Sequence, residues 1–226
     1  MAEDVYSPFK VFAHMDKIEQ LKRGKIITPV FIQVDLTNRC NLNCNFCFYK
    51  IHKLSAFDPK AEIPFETMKR MLREWKDIGV KALEISGGGE PLLHPNFKDI
   101  VKYAKKLGFE MALVTNGTLL DDETLELIKD FEWVRFSVDA VTPQTFKKIK
   151  GVDLFDKVIE NLRKLIEIKS ENNVIGYSFV VCRDNYTEIH EAAKFAKLLG
   201  CDNICLLYTS DAADDGESVD LGGRRI

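Results

Sequence analysis

Short β-prone runs and helix-spaced apolar stretches alternate along most of this chain. The strand-like runs fall at about residues 30–36, 80–86, 109–114, 133–138 and 174–181, and a sixth begins near Asp202. Between them lie helical patterns with clear punctuation. Pro64 opens one whose apolar positions Met68, Met71, Leu72, Trp75 and Ile78 recur at helical spacing, and Gly79 ends it. Others run from Asn96 to Leu107 before Gly108, from Leu119 to Asp130 with Asp121 or Asp122 as N-cap, and from Thr142-Pro143 to about Ile149. The last two span Asp156–Lys169 and Thr187–Leu199, the latter before Gly200. Each helix must carry the chain back across one face before the next strand starts, so the strands are parallel. The expected class is α/β, a partial (β/α)6 TIM-like barrel of parallel strands whose sixth strand stops about three residues in. Residues 1–29 read as an approach segment, irregular from Pro8 to His14, with a short amphipathic helix at Met15–Arg23 closed by Gly24.

Directly after the first strand comes Cys40-Asn41-Leu42-Asn43-Cys44-Asn45-Phe46-Cys47. Thiolates are soft ligands suited to zinc or iron–sulfur clusters, and three within eight residues can converge on one centre. A closed structural zinc site takes four ligands, whereas three thiolates leave a position open for chemistry. Cys182, Cys201 and Cys205 are scattered through apolar segments like reduced thiols of a cytoplasmic core. The sequence has no apolar run of membrane-spanning length and no basic-then-apolar leader, and its net charge of −3 gives no electrostatic case for nucleic acid.

In parallel βα barrels, sites form where strands end at their C-terminal edge. Every distinctive polar group falls there: the cysteines after strand one, Gly88-Gly89-Glu90 after strand two, Thr115-Asn116 after strand three, Ser137 and Asp139 at the close of strand four, Arg183-Asp184-Asn185 after strand five. Missing side chains at Gly88 and Gly89 let backbone carbonyls approach a cationic group, and Glu90 either supports that charge or orders the turn. Alternation points Ser137 and Asp139 inward, away from Phe136 and Val138; Asp139 could instead cap the following turn. Thr115 and Asn116 face a ligand or simply form an Asn-Gly turn. His94 reads as a turn or helix-start residue, and His14, His52 and His190 show no metal spacing. Trp75 and Trp133 read as core.

The Cys-x3-Cys-x-aromatic-Cys spacing, with Phe46 in the aromatic place, resembles the radical S-adenosylmethionine (SAM) enzymes over about residues 30–204. Gly88-Gly89-Glu90-Pro91 is similar to their glycine-glycine-glutamate-proline motif, and Ser137-Val138-Asp139-Ala140 to their strand-four segment. The resemblance implies a [4Fe–4S] cluster on Cys40, Cys44 and Cys47, with the fourth iron chelated by S-adenosylmethionine. It further implies a 5′-deoxyadenosyl radical that takes hydrogen from a substrate. Phe46 then packs near adenine, Gly88, Gly89 and Glu90 lie along the amino end of the cofactor, and Ser137, before Asp139, meets the ribose. Where many relatives carry arginine-glycine, this chain has Lys150-Gly151, which lacks the guanidinium fork. A ferredoxin or flavodoxin would supply the electron. The substrate is unassigned, with peptides or proteins among the candidates, as are cofactor-biosynthesis and glycyl-radical-activating roles. The rival is a zinc or iron–sulfur module that binds or passes electrons without the cofactor.

Residues 205–226 read differently. Back-translated, Cys205–Asp214 and Val219–Ile226 resemble sequencing-adapter DNA, which implies a foreign tail beginning after Ile204. Without its five acidic and two basic residues the body carries no net charge, and strand six would leave an apolar, aggregation-prone edge.

Overall fold

Strands follow one another in space as they do in sequence. The computed structural model describes residues 12–51 and 57–208. In it, β1 (Phe31–Asp35), β2 (Ala82–Ser86), β3 (Glu110–Thr115), β4 (Trp133–Ser137), β5 (Val174–Val181) and β6 (Asn203–Tyr208) form one sheet in the order β1-β2-β3-β4-β5-β6. Every pairing is parallel. The helices are α1 (Met15–Lys22), α2 (Phe48–Ile51), α3 (Phe65–Asp77), α4 (Phe97–Lys106), α5 (Asp122–Ile128), α6 (Pro143–Lys150), α7 (Phe155–Ile168) and α8 (Ile189–Leu199). Crossovers of one hand between adjacent parallel strands put their helices on one side. The result is an arc of βα units, a partial TIM-like barrel.

Alternation along the strands divides the sheet into two chemistries. Leu83 and Ile85 of β2, Met111 and Leu113 of β3, Val134 and Phe136 of β4 and Ile175 and Tyr177 of β5 are buried. They form one core with Met68 and Leu72 of α3, Ile100 and Val101 of α4 and Leu162 and Leu165 of α7. The intervening residues, Gln33, Asp35, Glu84, Arg135 and Ser137, are partly or fully exposed on the inner face. A sheet covered on both faces would read apolar throughout; this one keeps a polar inner face.

Helix ends follow the predicted punctuation. Gly79, Gly108 and Gly200 all take positive φ after α3, α4 and α8. Thr142 caps α6 by accepting from the Thr145 N–H, and Pro143 takes the first turn, where no donor is needed. Sequence bounds elsewhere shift by a residue or two, and the helix expected from Thr187 begins at Ile189 after a 3-10 turn at Tyr186–Glu188. The short α2 was not expected.

One strand runs longer than expected. β6 does not stop after three residues; it pairs with β5 from Asn203 through Tyr208. Cys205-Leu206-Leu207-Tyr208 is apolar and strand-compatible, and the open backbone of β5 offers it a ladder. Leu206 and Leu207 remain exposed. The tail beyond Tyr208, residues 8–11 of the expected irregular stretch, and His52 lie outside the described residues.

Asp121 caps α5 through the Thr124 N–H at 2.8 Å and pairs with Lys98 at 2.7 Å. The Lys98 ammonium, with the Thr124 donors, lowers its carboxyl to about 2. Because this lies below the unfolded value of about 3.9, its contribution is fully present above about pH 4 and lost as pH falls through 2. Asp121→Ala is expected to cost about 1 kcal/mol at pH 7 in urea unfolding. The gap between variant and parent should narrow steadily as pH is lowered from 4.

Candidate active site

The cysteine loop has almost no secondary structure of its own, and other strand-exit loops hold it in place. Asn38 N–H donates to Ala61 O at 2.8 Å, and Arg39 pairs with Glu62 while donating to Leu93 O. Asn41 Nδ2 donates to Thr118 Oγ1 at 2.8 Å, and Asn41 Oδ1 accepts from Asn116 Nδ2 at 2.9 Å. The backbone N–H groups of Asn43 and Asn45 donate to Lys150 O and Ile149 O, two carbonyls left free at the end of α6. Asn45 Nδ2 reaches Asp184 Oδ2 after β5 at 2.7 Å. The loop is thus tied to the ends of β2, β3, α6 and β5.

Gly87-Gly88-Gly89 packs edge-on against that loop. Gly89 N–H donates to Thr37 O, and Glu90 N–H to Arg39 O. A Cβ on Gly89 would lie 2.1 Å from Arg39 O and 2.5 Å from Asn38 C, while one on Gly88 would meet Asn38 Oδ1 at 2.5 Å. At Gly89, where the obstacle is main chain, only glycine permits this approach. Glu90 is buried and fully engaged: it accepts from Thr115 Oγ1 at 2.7 Å, Asn116 N–H at 2.7 Å and Leu92 N–H at 3.2 Å. Burial pushes its carboxyl up, and these three donors oppose the shift. Of the two roles open to Glu90 in the sequence, the geometry realises the ordering of the turn.

At the end of β4 the two candidate cofactor residues part company. The Ser137 side chain makes no hydrogen bond among the described residues and stays partly exposed on the inner face. Asp139 does not continue the alternation, contrary to expectation: its φ is +64 and it is fully buried, because the backbone has already left the strand. One of its oxygens accepts from Val180 N–H and the other is bonded to the buried Lys150 ammonium. Lys150 in turn lies 5.4 Å from the Phe46 ring centroid. Burial alone would lower its ammonium, but Asp139 and Cys44 beside it hold it above its ordinary value. Gly151, at φ +75, brings α6 against the loop; a Cβ there would meet Asn43 at 3.1 Å.

Cys40, Cys44 and Cys47 line one cavity of about 490 Å3 together with Gly88 and Gly89. Arg39, Tyr49, Lys50, Phe57 and Leu93 complete much of its wall. Burial raises the Cys40 and Cys44 thiols, and Lys150 pulls Cys44 the other way. Among the described residues no three His, Cys, Asp or Glu side chains are gathered as they would be about a single metal ion. A four-iron cube is wider than one ion, and three soft donors around a shared cavity suit it. The donor set and the side-chain-free wall therefore fit a cluster with a ligand beside it.

Other readings resolve locally. Thr115 and Asn116 bond Glu90, Asn41 and Thr118, so they brace loops. His94 is buried, accepts from Asn96 N–H at Nδ1 and therefore donates from Nε2 to Ile63 O, as a turn residue does. Cys182 and Cys201 are partly buried away from the cavity wall. Trp75 packs on the core, but Trp133 does not: it shares the inner face with Arg135, whose guanidinium carbon lies 5.3 Å from its ring centroid. Sequence reading missed the brace residues Asn41, Asn43 and Asn45. Their alternation with Leu42 and Cys44 was the available signal.

The fold and site define a radical SAM protein. Residues 34–196 match the model of the Radical SAM superfamily, and the chain belongs to that superfamily. Among its relatives, the tungsten-containing aldehyde ferredoxin oxidoreductase cofactor-modifying protein of Pyrococcus furiosus is 31% identical over 179 residues, covering 76% of this chain and 49% of that protein. A probable GTP 3′,8-cyclase of Saccharolobus solfataricus is 31% identical over 178 residues, covering 78% of this chain and 56% of the relative. This chain spans about half the length of these relatives. Among solved structures, Streptococcus suis SuiB bound to precursor peptide SuiA aligns with TM-score 0.71 at 20% identity, covering 93% of this chain and 47% of that one. Native anSMEcpe with bound AdoMet aligns with TM-score 0.66 at 20% identity, covering 80% and 52%.

Proposed function

We propose that the chain is the core of an enzyme in which Cys40, Cys44 and Cys47 hold a [4Fe–4S] cluster and leave one iron for S-adenosylmethionine. When bound, cluster and cofactor together supply a 5′-deoxyadenosyl radical that abstracts hydrogen from substrate. The residues of this chain position and shield. Gly88 and Gly89 offer backbone carbonyls to the cofactor ammonium, and Glu90 keeps that turn against the cysteine loop. Ser137 offers its free hydroxyl to the ribose. Phe46 flanks the adenine, and the Asp139–Lys150 pair fixes Phe46 and the exit of β4. The observation that carries this reading is that the three thiols and Gly88-Gly89, from different strand exits, line one cavity.

A ferredoxin or flavodoxin is the proposed electron donor, in the cytoplasm. Among the described residues no helix is long and apolar enough to cross a membrane. The proposed substrate class is a peptide or protein. Support comes from fold neighbours crystallised with peptides, SuiB with SuiA and anSMEcpe with Kp18Cys.

Anaerobic reconstitution with iron and sulfide, followed by electron paramagnetic resonance of the reduced protein, tests the reading. The expected result is a [4Fe–4S] signal that changes on adding S-adenosylmethionine. A cluster indifferent to the cofactor, or stoichiometric zinc, in protein shown to be folded would replace it with the binding or electron-transfer module.

A further inference from the structure

The inner face carries charges that the fold leaves apart. Arg135 on β4, Glu84 on β2 and Asp35 on β1 all point to it, by the register that sets Asp35 beside Ser86, Glu84 beside Ala112 and Arg135 beside Val114. Arg135 has no carboxylate within ion-pair distance among the described residues. Its hydrogen bonding there is limited to a 3.8 Å contact from Nη1 to Cys205 Sγ, and the buried Nε–H is unmatched. The guanidinium lies over the Trp133 ring, its carbon 5.3 Å from the ring centroid. Glu84 makes no hydrogen bond among the described residues. Burial pushes its carboxyl up, Arg135 draws it down from a distance, and Asp35 raises it. Ser137, two residues beyond Arg135 along β4, shares this face at the strand's C-terminal end, so the patch leads toward the candidate active site.

An arginine over an aromatic ring, with no carboxylate partner among the described residues although two carboxylates share its face, is suited to receive an oxyanion in a forked geometry. The neighbouring Glu84 and Asp35 repel a multiply charged anion such as a nucleotide triphosphate. They favour a single carboxylate with hydrogen-bond donors next to it. We propose that Arg135 is the substrate anchor and takes the carboxylate of an acidic residue in a peptide, whose adjacent N–H groups face Glu84 and Asp35. This rests on the radical SAM reading of the cavity above, and it names the part of the substrate that the inner face holds.

The test titrates the reconstituted full chain, saturated with S-adenosylmethionine, with a capped Gly-Gly-Glu-Gly-Gly peptide, its glutamine analogue and inorganic phosphate. Binding is read by Trp133 emission in a Trp75→Phe background. The glutamate peptide is expected to bind more tightly than its analogue, and Arg135→Gln to weaken it about tenfold or more, the loss of a charge-assisted hydrogen bond, leaving the analogue unchanged. Glu84→Gln should weaken both peptides severalfold, because it removes the charged acceptor that their N–H groups face, which keeps the test decisive if Arg135→Gln does not fold. No binding of the glutamate peptide, equal binding of both peptides, or an effect of neither substitution would overturn the proposal. Phosphate binding more tightly than the peptide would overturn it in favour of a phosphate-bearing substrate. The cofactor-induced change in the cluster signal is recorded alongside. Its loss in the unsubstituted chain, with carboxylate-dependent emission intact, would sink the enzymatic reading and not the anchor.

Discussion

Replacing Lys150 with methionine is expected to lower folding stability by about 3–5 kcal/mol, the cost of stranding a buried charge. Asp139 is the charge left behind. It is fully buried, and its remaining partner is the Val180 N–H at 2.6 Å. Its carbonyl already accepts from Asn185 Nδ2 at 2.9 Å, so the residue cannot swing out without releasing the loop after β5. Adding Asp139→Asn to Lys150→Met should recover most of the loss, because asparagine keeps an acceptor for Val180 and carries no charge. Urea unfolding of the parent, both single variants and the double variant measures the coupling directly. A loss below about 1 kcal/mol for Lys150→Met would mean that water reaches the pair and that it is not a buried tie. The same variant removes the ammonium from the Phe46 ring, so the cofactor-induced change in the cluster signal should weaken even in the stabilised double variant.

Gly89→Ala should be nearly as damaging to the site and more local. Its Cβ would fall 2.1 Å from a backbone oxygen that cannot rotate away, so the cysteine loop itself must move. Overpacking of this kind costs about 1–3 kcal/mol where side chains can adjust, and here the obstacle is main chain. Gly79→Ala is the control. Gly79, unlike Gly89, has a positive φ, +90, but nothing lies within 4 Å of the added methyl, so only the left-handed penalty of about 1–2 kcal/mol applies. After reconstitution, Gly89→Ala should lose most of its bound iron and Gly79→Ala should retain it. Equal iron in both would show that the glycine-rich turn and the cysteine loop are not coupled as their hydrogen bonds indicate.

Much of this architecture is legible in the chain because its signals are local. Glycines close helices, Thr142-Pro143 opens one, and apolar residues recur at the helical period where burial later places them. The cysteine spacing and the glycine triplet are equally local, and the fold brings them to one cavity as expected. What escaped is set by neighbours far along the chain. Trp133 reads as core by its chemistry, yet alternation puts it on the inner face with Arg135. Asp139 reads as inward by alternation, yet a left-handed turn takes it into a buried ion pair. Lys150 looks like a poor substitute for arginine, and its partner lies across a helix. The bracing asparagines are ordinary polar residues until Thr118, Ile149 and Asp184 supply their partners. β6 extends past Ile204 because an open strand edge accepts almost any apolar extended segment, which composition does not reveal.

The sequential strand order also bears on how the protein is made. Each new strand docks on the one synthesised just before it, so the sheet can grow with the emerging chain and every edge contact is between neighbouring units. The cysteine loop does not share that schedule. It leaves the ribosome after β1, but its braces arrive with residues 116–118, 149–150 and finally Asp184, a partner 139 residues downstream of Asn45. During that interval the three thiols are synthesised but unconstrained, exposed to oxidation and to any thiophilic metal. Cluster delivery that waits for the α6 and β5 exits meets a formed cradle, while earlier delivery meets a loose loop.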